Sequence, residues 1–180
     1  FLAYEEAERE TDEDRIKALL TFVVVGAGAT GVEMAGALAE ISRETLANEF
    51  RNIDPEKARI LLVEGGDRVL GSYPAELSEK ARESLEKLGV EVRLSSRVTN
   101  VNAEGVTVKQ GEQDERIPSR TVVWAAGIAA SPLAKTLEVP LDKVGRVVVT
   151  PELSIPGDER VYVVGDLAHF EQDGQPIPGM

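Results

Sequence analysis

Phe22-Val23-Val24-Val25-Gly26-Ala27-Gly28-Ala29-Thr30-Gly31-Val32-Glu33-Met34-Ala35-Gly36 is the stretch on which the fold turns. A β-branched apolar run ends at a glycine, spells G-x-G-x-x-G and continues into an Ala-rich helical segment. Each glycine has its own task. Gly26 lets the chain turn sharply out of the strand, Gly28 presents bare backbone to a diphosphate, and Gly31 lets the helix lie close to the sheet. The first amides of that helix, Ala29 and Thr30 among them, have no intrahelical acceptor. They point outward at the positive end of the helix dipole, so the junction suits a dinucleotide's diphosphate. Its placement between a strand and a helix gives the motif its weight.

The rest of the chain alternates in the same way. Residues 1 to 20 read as a charged connecting helix, with Glu5, Glu6, Glu8 and Glu10 on a solvated acidic face. Phe22–Val25 is the first strand, and the following helix is expected from about Thr30 to Phe50. Ala58–Val63 is a second buried strand ending at Glu64. A second helix follows, with Leu77, Ala81, Leu85 and Leu88 on one face and Gly89 at its C-cap position. Val90–Leu94 alternates like a strand. Segments near Arg97–Val101, Gly105–Lys109 and Glu115–Ile117, separated by glycine-bearing turns, read as an antiparallel meander. Thr121–Trp124 returns to a buried strand, which places Trp124 in the core. Ser131-Pro132 opens a short helix to about Leu137, and Arg146–Val149 and Arg160–Val164 are further short strands. The fold class is α/β: a Rossmann-like doubly wound parallel sheet in which a three-stranded meander replaces one helical crossover.

Composition narrows the function. The 180 residues carry 20 Lys+Arg against 32 Asp+Glu, a formal charge of −12, which disfavours nucleic acid and anionic membrane as partners. With no cysteine, a disulfide framework, thiolate metal sites and a redox cysteine pair within this stretch are excluded. No apolar run approaches the ~20 residues that cross a bilayer, and the opening residues do not read as a signal peptide. Opening on Phe1 and closing on Gln175–Met180 without a completing element, the sequence is expected to be a piece of a longer protein.

Few side chains have chemistry to offer. Glu64, at the end of the second strand, is placed to accept hydrogen bonds from the adenosine ribose and to repel a 2′-phosphate, which favours NADH over NADPH. Arg68 is open between a phosphate contact and a solvated ion pair. Glu33, read as lying on the first helical turn, either answers the helix dipole or faces the nicotinamide or a flavin. His169, the single histidine, reads as an incidental loop residue, and no catalytic triad or metal-ligand cluster can be assembled.

Three motifs together resemble the flavoprotein pyridine-nucleotide reductases, and within them the type II NADH dehydrogenases. They are the loop Val25–Gly36, Thr121-Val122-Val123-Trp124-Ala125-Ala126-Gly127, and Val161-Tyr162-Val163-Val164-Gly165-Asp166-Leu167-Ala168. Leu62–Glu64 through Arg68–Leu70 extends the likeness. The resemblance implies an NADH domain at residues 21–150, preceded by the connector 1–20, and a return into an FAD domain over 151–180. It implies cofactor contacts at Ala126 and Gly127, with Gly165-Asp166 on the ribityl or phosphate part of FAD and Ala168 behind the isoalloxazine. Hydride would pass from NADH to FAD and electrons on to a quinone, with no side chain acting as acid or base. A second G-x-G-x-x-G and a quinone-contacting C-terminal segment are missing here, so this stretch alone is expected neither to hold FAD tightly nor to reduce quinone. The whole protein is expected to be cytoplasmic and peripheral to the inner membrane; its oligomeric state is open. A reductase of ferredoxin or rubredoxin, a disulfide-reducing relative, and a nucleotide-sensing module are the alternatives.

Overall fold

A computed structural model describes residues 1–127, 129–172 and 174–177. Pro178–Met180, the end of the expected return segment, lie outside the described residues. The chain divides into two compact units, Phe1–Ala126 and Gly127–Met180, a division ahead of the 150/151 boundary expected from the motifs.

The expected single N-terminal helix is two: α1 (Leu2–Arg9) and α2 (Glu13–Leu19). Asp12 breaks them apart, its carboxylate capping α2 by accepting from the amides of Asp14 and Arg15. Glu8 is not merely solvated. Its carboxylate accepts from the backbone N–H groups of Arg51, Asn52 and Ile53, more than 40 residues away. Tyr4 is buried, stacks on Phe22 and Phe50 and meets Ser42 Oγ at 2.6 Å.

In the first unit β1 (Thr21–Val25) leads into α3 (Ala29–Glu40). The α-helix ends well before Phe50 and passes into one π-helical stretch, Ile41–Thr45. Ser42, buried there, donates to the Leu38 carbonyl and accepts from Tyr4, so a polar bond from α1 meets the widened turn. Next come β2 (Arg59–Val63), α4 (Ala75–Lys87) and β3 (Val90–Arg93). Leu77 leaves the expected apolar face of α4 and is exposed; Ser78 takes the buried place, its hydroxyl donating to Leu70 O. The meander is β4 (Ser96–Asn102), β5 (Gly105–Gln110) and β6 (Gln113–Pro118), and β7 (Thr121–Trp124) closes the unit.

β3-β2-β1-β7 form one sheet, and each neighbouring pair is parallel. Period-2 alternation divides its side chains between two covers. Phe22, Val24, Ile60, Leu62 and Val90 pack with Ala35, Ala39 and Leu85 of the helices. Val23, Val25, Leu61 and Val63 pack with Val106, Val108 and Ile117 of the meander. Val23, Val24, Leu61 and Leu62 are fully buried, each contributing about 1.5–3 kcal/mol of apolar burial. This two-sided cover holds the carboxyl ends of β1, β2 and β7 in register, and that is where the loops of interest emerge.

The second unit is built from short pieces: a 3₁₀ turn at Pro132–Leu137, β8 (Val147–Val148), β9 (Ser154–Ile155), β10 (Asp158–Tyr162), a 3₁₀ turn at Gly165–Leu167, β11 (Ala168–His169), β12 (Glu171–Gln172) and β13 (Gln175–Pro176). Its core gathers Ala134, Val147, Val149 and Val163. Among the described residues no helix is long and apolar enough to cross a membrane.

Candidate functional site

A crevice of about 310 Å³ opens over the carboxyl ends of the parallel strands, lined by Gly26, Glu64, Gly65, Arg97, Trp124 and Ala126 among others. The three glycines of the motif, of which Gly26 lines the crevice, differ physically. Gly26 has φ +97°, and a Cβ there would sit 2.7 Å from the Ala126 Cα. A Cβ on Gly31 would lie 1.8 Å from the Gly26 carbonyl oxygen, so helix and loop touch backbone to backbone. Gly28 has an ordinary φ of −70° and open space where a side chain would stand. Gly28, Ala29 and Thr30 are exposed. Among the described residues no protein group accepts from the amides of Gly28, Ala29, Thr30 or Gly31.

Glu64 closes the crevice on the β2 side. Its Oε2 accepts from the Ala27 amide at 2.7 Å and its Oε1 from the Gly66 amide at 2.7 Å. The Ala27 peptide is gripped from the other end as well, its carbonyl accepting from Leu70 N–H at 2.7 Å. Leu70 holds a left-handed φ of 49°, an unusual conformation for a non-glycine residue. The backbone of Glu64 is pinned in turn, its N–H to Arg93 O and its O to Ser96 N–H. The glycine loop is therefore preorganised by Glu64 and Leu70, with the Gly66 amide steadying the Glu64 carboxylate.

Other expected residues fall elsewhere. Glu33 is the fifth residue of α3, exposed, and the first turn carries no acid, so the first-turn dipole argument does not apply to it. Arg68 has no ion-pair partner among the described residues; its guanidinium donates to Gly71 O at 2.8 Å. Trp124 is not core: it is 61 % exposed, because it ends β7 where the covering layers stop. Gly127 has φ +73° with open space beside it.

Gly165, Asp166 and Ala168 form a second locus, within the second unit. Gly165 has φ +68°, Asp166 is exposed on the 3₁₀ turn, and Ala168 pairs in parallel with Val147. His169 is tied into a side-chain network. Its Nδ1 lies 2.9 Å from Arg146 Nη2, which can only donate, so Nδ1 accepts and the Nε2–H faces Glu171 Oε1 at 3.2 Å. Arg146 is itself fixed by Asp142, Nε to Oδ2 at 2.7 Å. This network anchors the strand that carries Ala168.

The family profile for pyridine nucleotide-disulphide oxidoreductases matches residues 3–178. The chain belongs to that family. It is 49 % identical over 183 aligned residues to a type II NADH:quinone oxidoreductase of Mycobacterium tuberculosis, covering 99 % of this chain and 39 % of that protein. A second enzyme of that name from the same organism is 45 % identical, over 92 % of this chain and 36 % of its own length. The chain thus spans well under half the length of these curated relatives. Among solved structures, the NDH2 of Plasmodium falciparum in complex with NADH superposes with a TM-score of 0.80 at 19 % identity, covering 93 % of this chain and 36 % of that one. At that identity the likeness speaks for the fold.

For a pyridine nucleotide-disulphide oxidoreductase, the glycine motif and Glu64 could be read from local sequence. Leu70, Ser96 and Arg97 could not: their place at the crevice depends on loops that meet only after the sheet has assembled. Trp124 offered one weak signal, its position as the last residue before Ala-Ala-Gly, where a strand gives way to a loop.

Proposed function

We propose that this chain binds NADH in the crevice over β1, β2 and β7, as the nucleotide domain of a type II NADH:quinone oxidoreductase. The observation that carries the reading is the row of unpaired amides from Gly28 to Gly31 beside an open glycine face. A diphosphate there gains backbone hydrogen bonds and the helix dipole without moving any side chain. Glu64 supports the ribose assignment: each carboxylate oxygen already takes one amide and keeps a lone pair for a ribose hydroxyl. The same charge disfavours a 2′-phosphate.

In this reading residues 21–150 serve the nucleotide and 151–180 return toward a flavin domain. Exposed Asp166 beside the left-handed Gly165 suits the hydroxyls of a flavin's ribityl chain, and Ala168 presents a small side chain behind the ring. NADH would supply the hydride that FAD accepts before electrons reach a quinone. This chain's own groups hold and orient. The two mycobacterial relatives favour a quinone over a redox protein as acceptor, and on the same reading the whole protein is peripheral to a membrane, at its cytoplasmic face.

Calorimetric titration of the folded chain with NADH and with NADPH tests the proposal. NADH is expected to bind more tightly, and Glu64→Gln to narrow the difference about tenfold, the scale of one charge-assisted hydrogen bond. No heat with either coenzyme would refute the site; an unchanged ratio in Glu64→Gln would refute the role of Glu64.

A further inference from the structure

Trp124 is the only tryptophan of the chain, and it stands 61 % exposed at the mouth of the crevice. Its one polar atom is already satisfied, the indole N–H donating to Ala126 O at 2.6 Å. That bond holds the ring and leaves much of its apolar surface exposed. An indole held in this way is a flat platform of low rotational freedom, suited to another flat ring. Neighbouring Val122 belongs to the meander-side cluster, and alternation along β7 puts Trp124 on that same side.

The sheet order tells which ring it would meet. Along β3-β2-β1-β7, Glu64 follows β2, Gly26 follows β1 and Trp124 ends β7, in register with Val25. At about 4.8 Å per strand, Glu64 and Trp124 flank the phosphate loop roughly 10 Å apart. A dinucleotide with its adenosine ribose at Glu64 and its diphosphate at Gly28 carries its second base toward β7. We propose that Trp124 is the stacking platform for the nicotinamide ring, a specificity residue for that half of the coenzyme. This rests on the assignment of the crevice to NADH.

The experiment compares NADH with ADP-ribose, which keeps the adenosine and diphosphate and lacks the nicotinamide. The folded chain is titrated calorimetrically with each, as wild type, Trp124→Ala and Trp124→Phe, with circular dichroism as the check on folding. Trp124→Ala is expected to weaken NADH about tenfold, the usual scale of one stacked aromatic pair, and to leave ADP-ribose unchanged. Trp124→Phe should retain most of the NADH affinity. In the wild type, NADH should quench the single-tryptophan fluorescence far more than ADP-ribose does. An equal loss for both ligands, no loss for NADH, or equal quenching by both would overturn the platform while leaving the crevice in place. Absence of binding by ADP-ribose and NADH alike in the wild type would overturn the crevice itself, and the platform with it.

Discussion

The two units solve the problem of holding a glycine loop in opposite ways. In Phe1–Ala126 a parallel sheet is covered on both sides, and the loop after β1 is gripped by Glu64, Leu70 and the closely packed α3. In Gly127–Met180 the loop at Gly165 hangs on strands of two to five residues and a small cluster, stiffened by the Asp142–Arg146–His169–Glu171 chain. The first arrangement draws rigidity from apolar burial, which is non-directional and large. The second draws it from polar geometry, in which each bond contributes about 1 kcal/mol net. A site that must present bare amides at fixed spacing is better served by the first.

The strongest way to break the contrast is Gly31→Val. Its side chain would drive into the Gly26 carbonyl, so a loss above about 3 kcal/mol, or no cooperative unfolding at all, is expected in urea titrations. Gly28→Ala, in the same motif, should leave stability within about 0.5 kcal/mol, because its φ suits any residue and nothing lies nearby. It should nevertheless lower NADH affinity, so one loop separates packing from binding.

A milder test removes apolar volume from each core. Leu61→Ala should cost about 3 kcal/mol by chemical denaturation. Val147→Ala should cost about 1.5 kcal/mol, at ~0.8 kcal/mol per buried carbon, read by amide exchange at Val149, whose N–H donates to His169 O. Similar losses in the two would erase the distinction.

The smallest effect expected is electrostatic. Burial alone would raise the Glu91 carboxyl, but hydrogen bonds from Arg59 and Arg93 outweigh it and hold the group below its usual 4.5. A carboxylate depressed in the folded state stabilises the fold above its unfolded value, and that contribution is lost as pH falls through the folded one. Glu91→Gln should therefore lower Tm at pH 7 by a degree or so, on the order of one partly screened ion pair, and by less near pH 3. An equal shift at both pH values would remove the ion pair from the account of how β2 and β3 are joined.

Much of the first unit could be read in advance for the same reason that it is rigid. Valine runs, helix periodicity and turn glycines act over a few residues, and here they agree with the global arrangement. Misreadings cluster where contacts span the chain. Glu8 appeared solvated because its amide partners lie 43 to 45 residues on. Leu77 and Ser78 exchanged places because Leu70 O waits beneath α4 for a hydroxyl. The helix after β1 ended early where Tyr4 meets Ser42.

The sequence by itself determined the strand–glycine–helix junction, the parallel sheet with its meander, and the acid at the end of the second strand, since these follow from backbone sterics and from hydrophobic spacing. Only the tertiary structure decided which loop clamps Ala27, that His169 is part of a network, and that Trp124 faces outward. A residue's burial is set by what lies across from it, and at the end of a strand that partner comes from elsewhere in the chain.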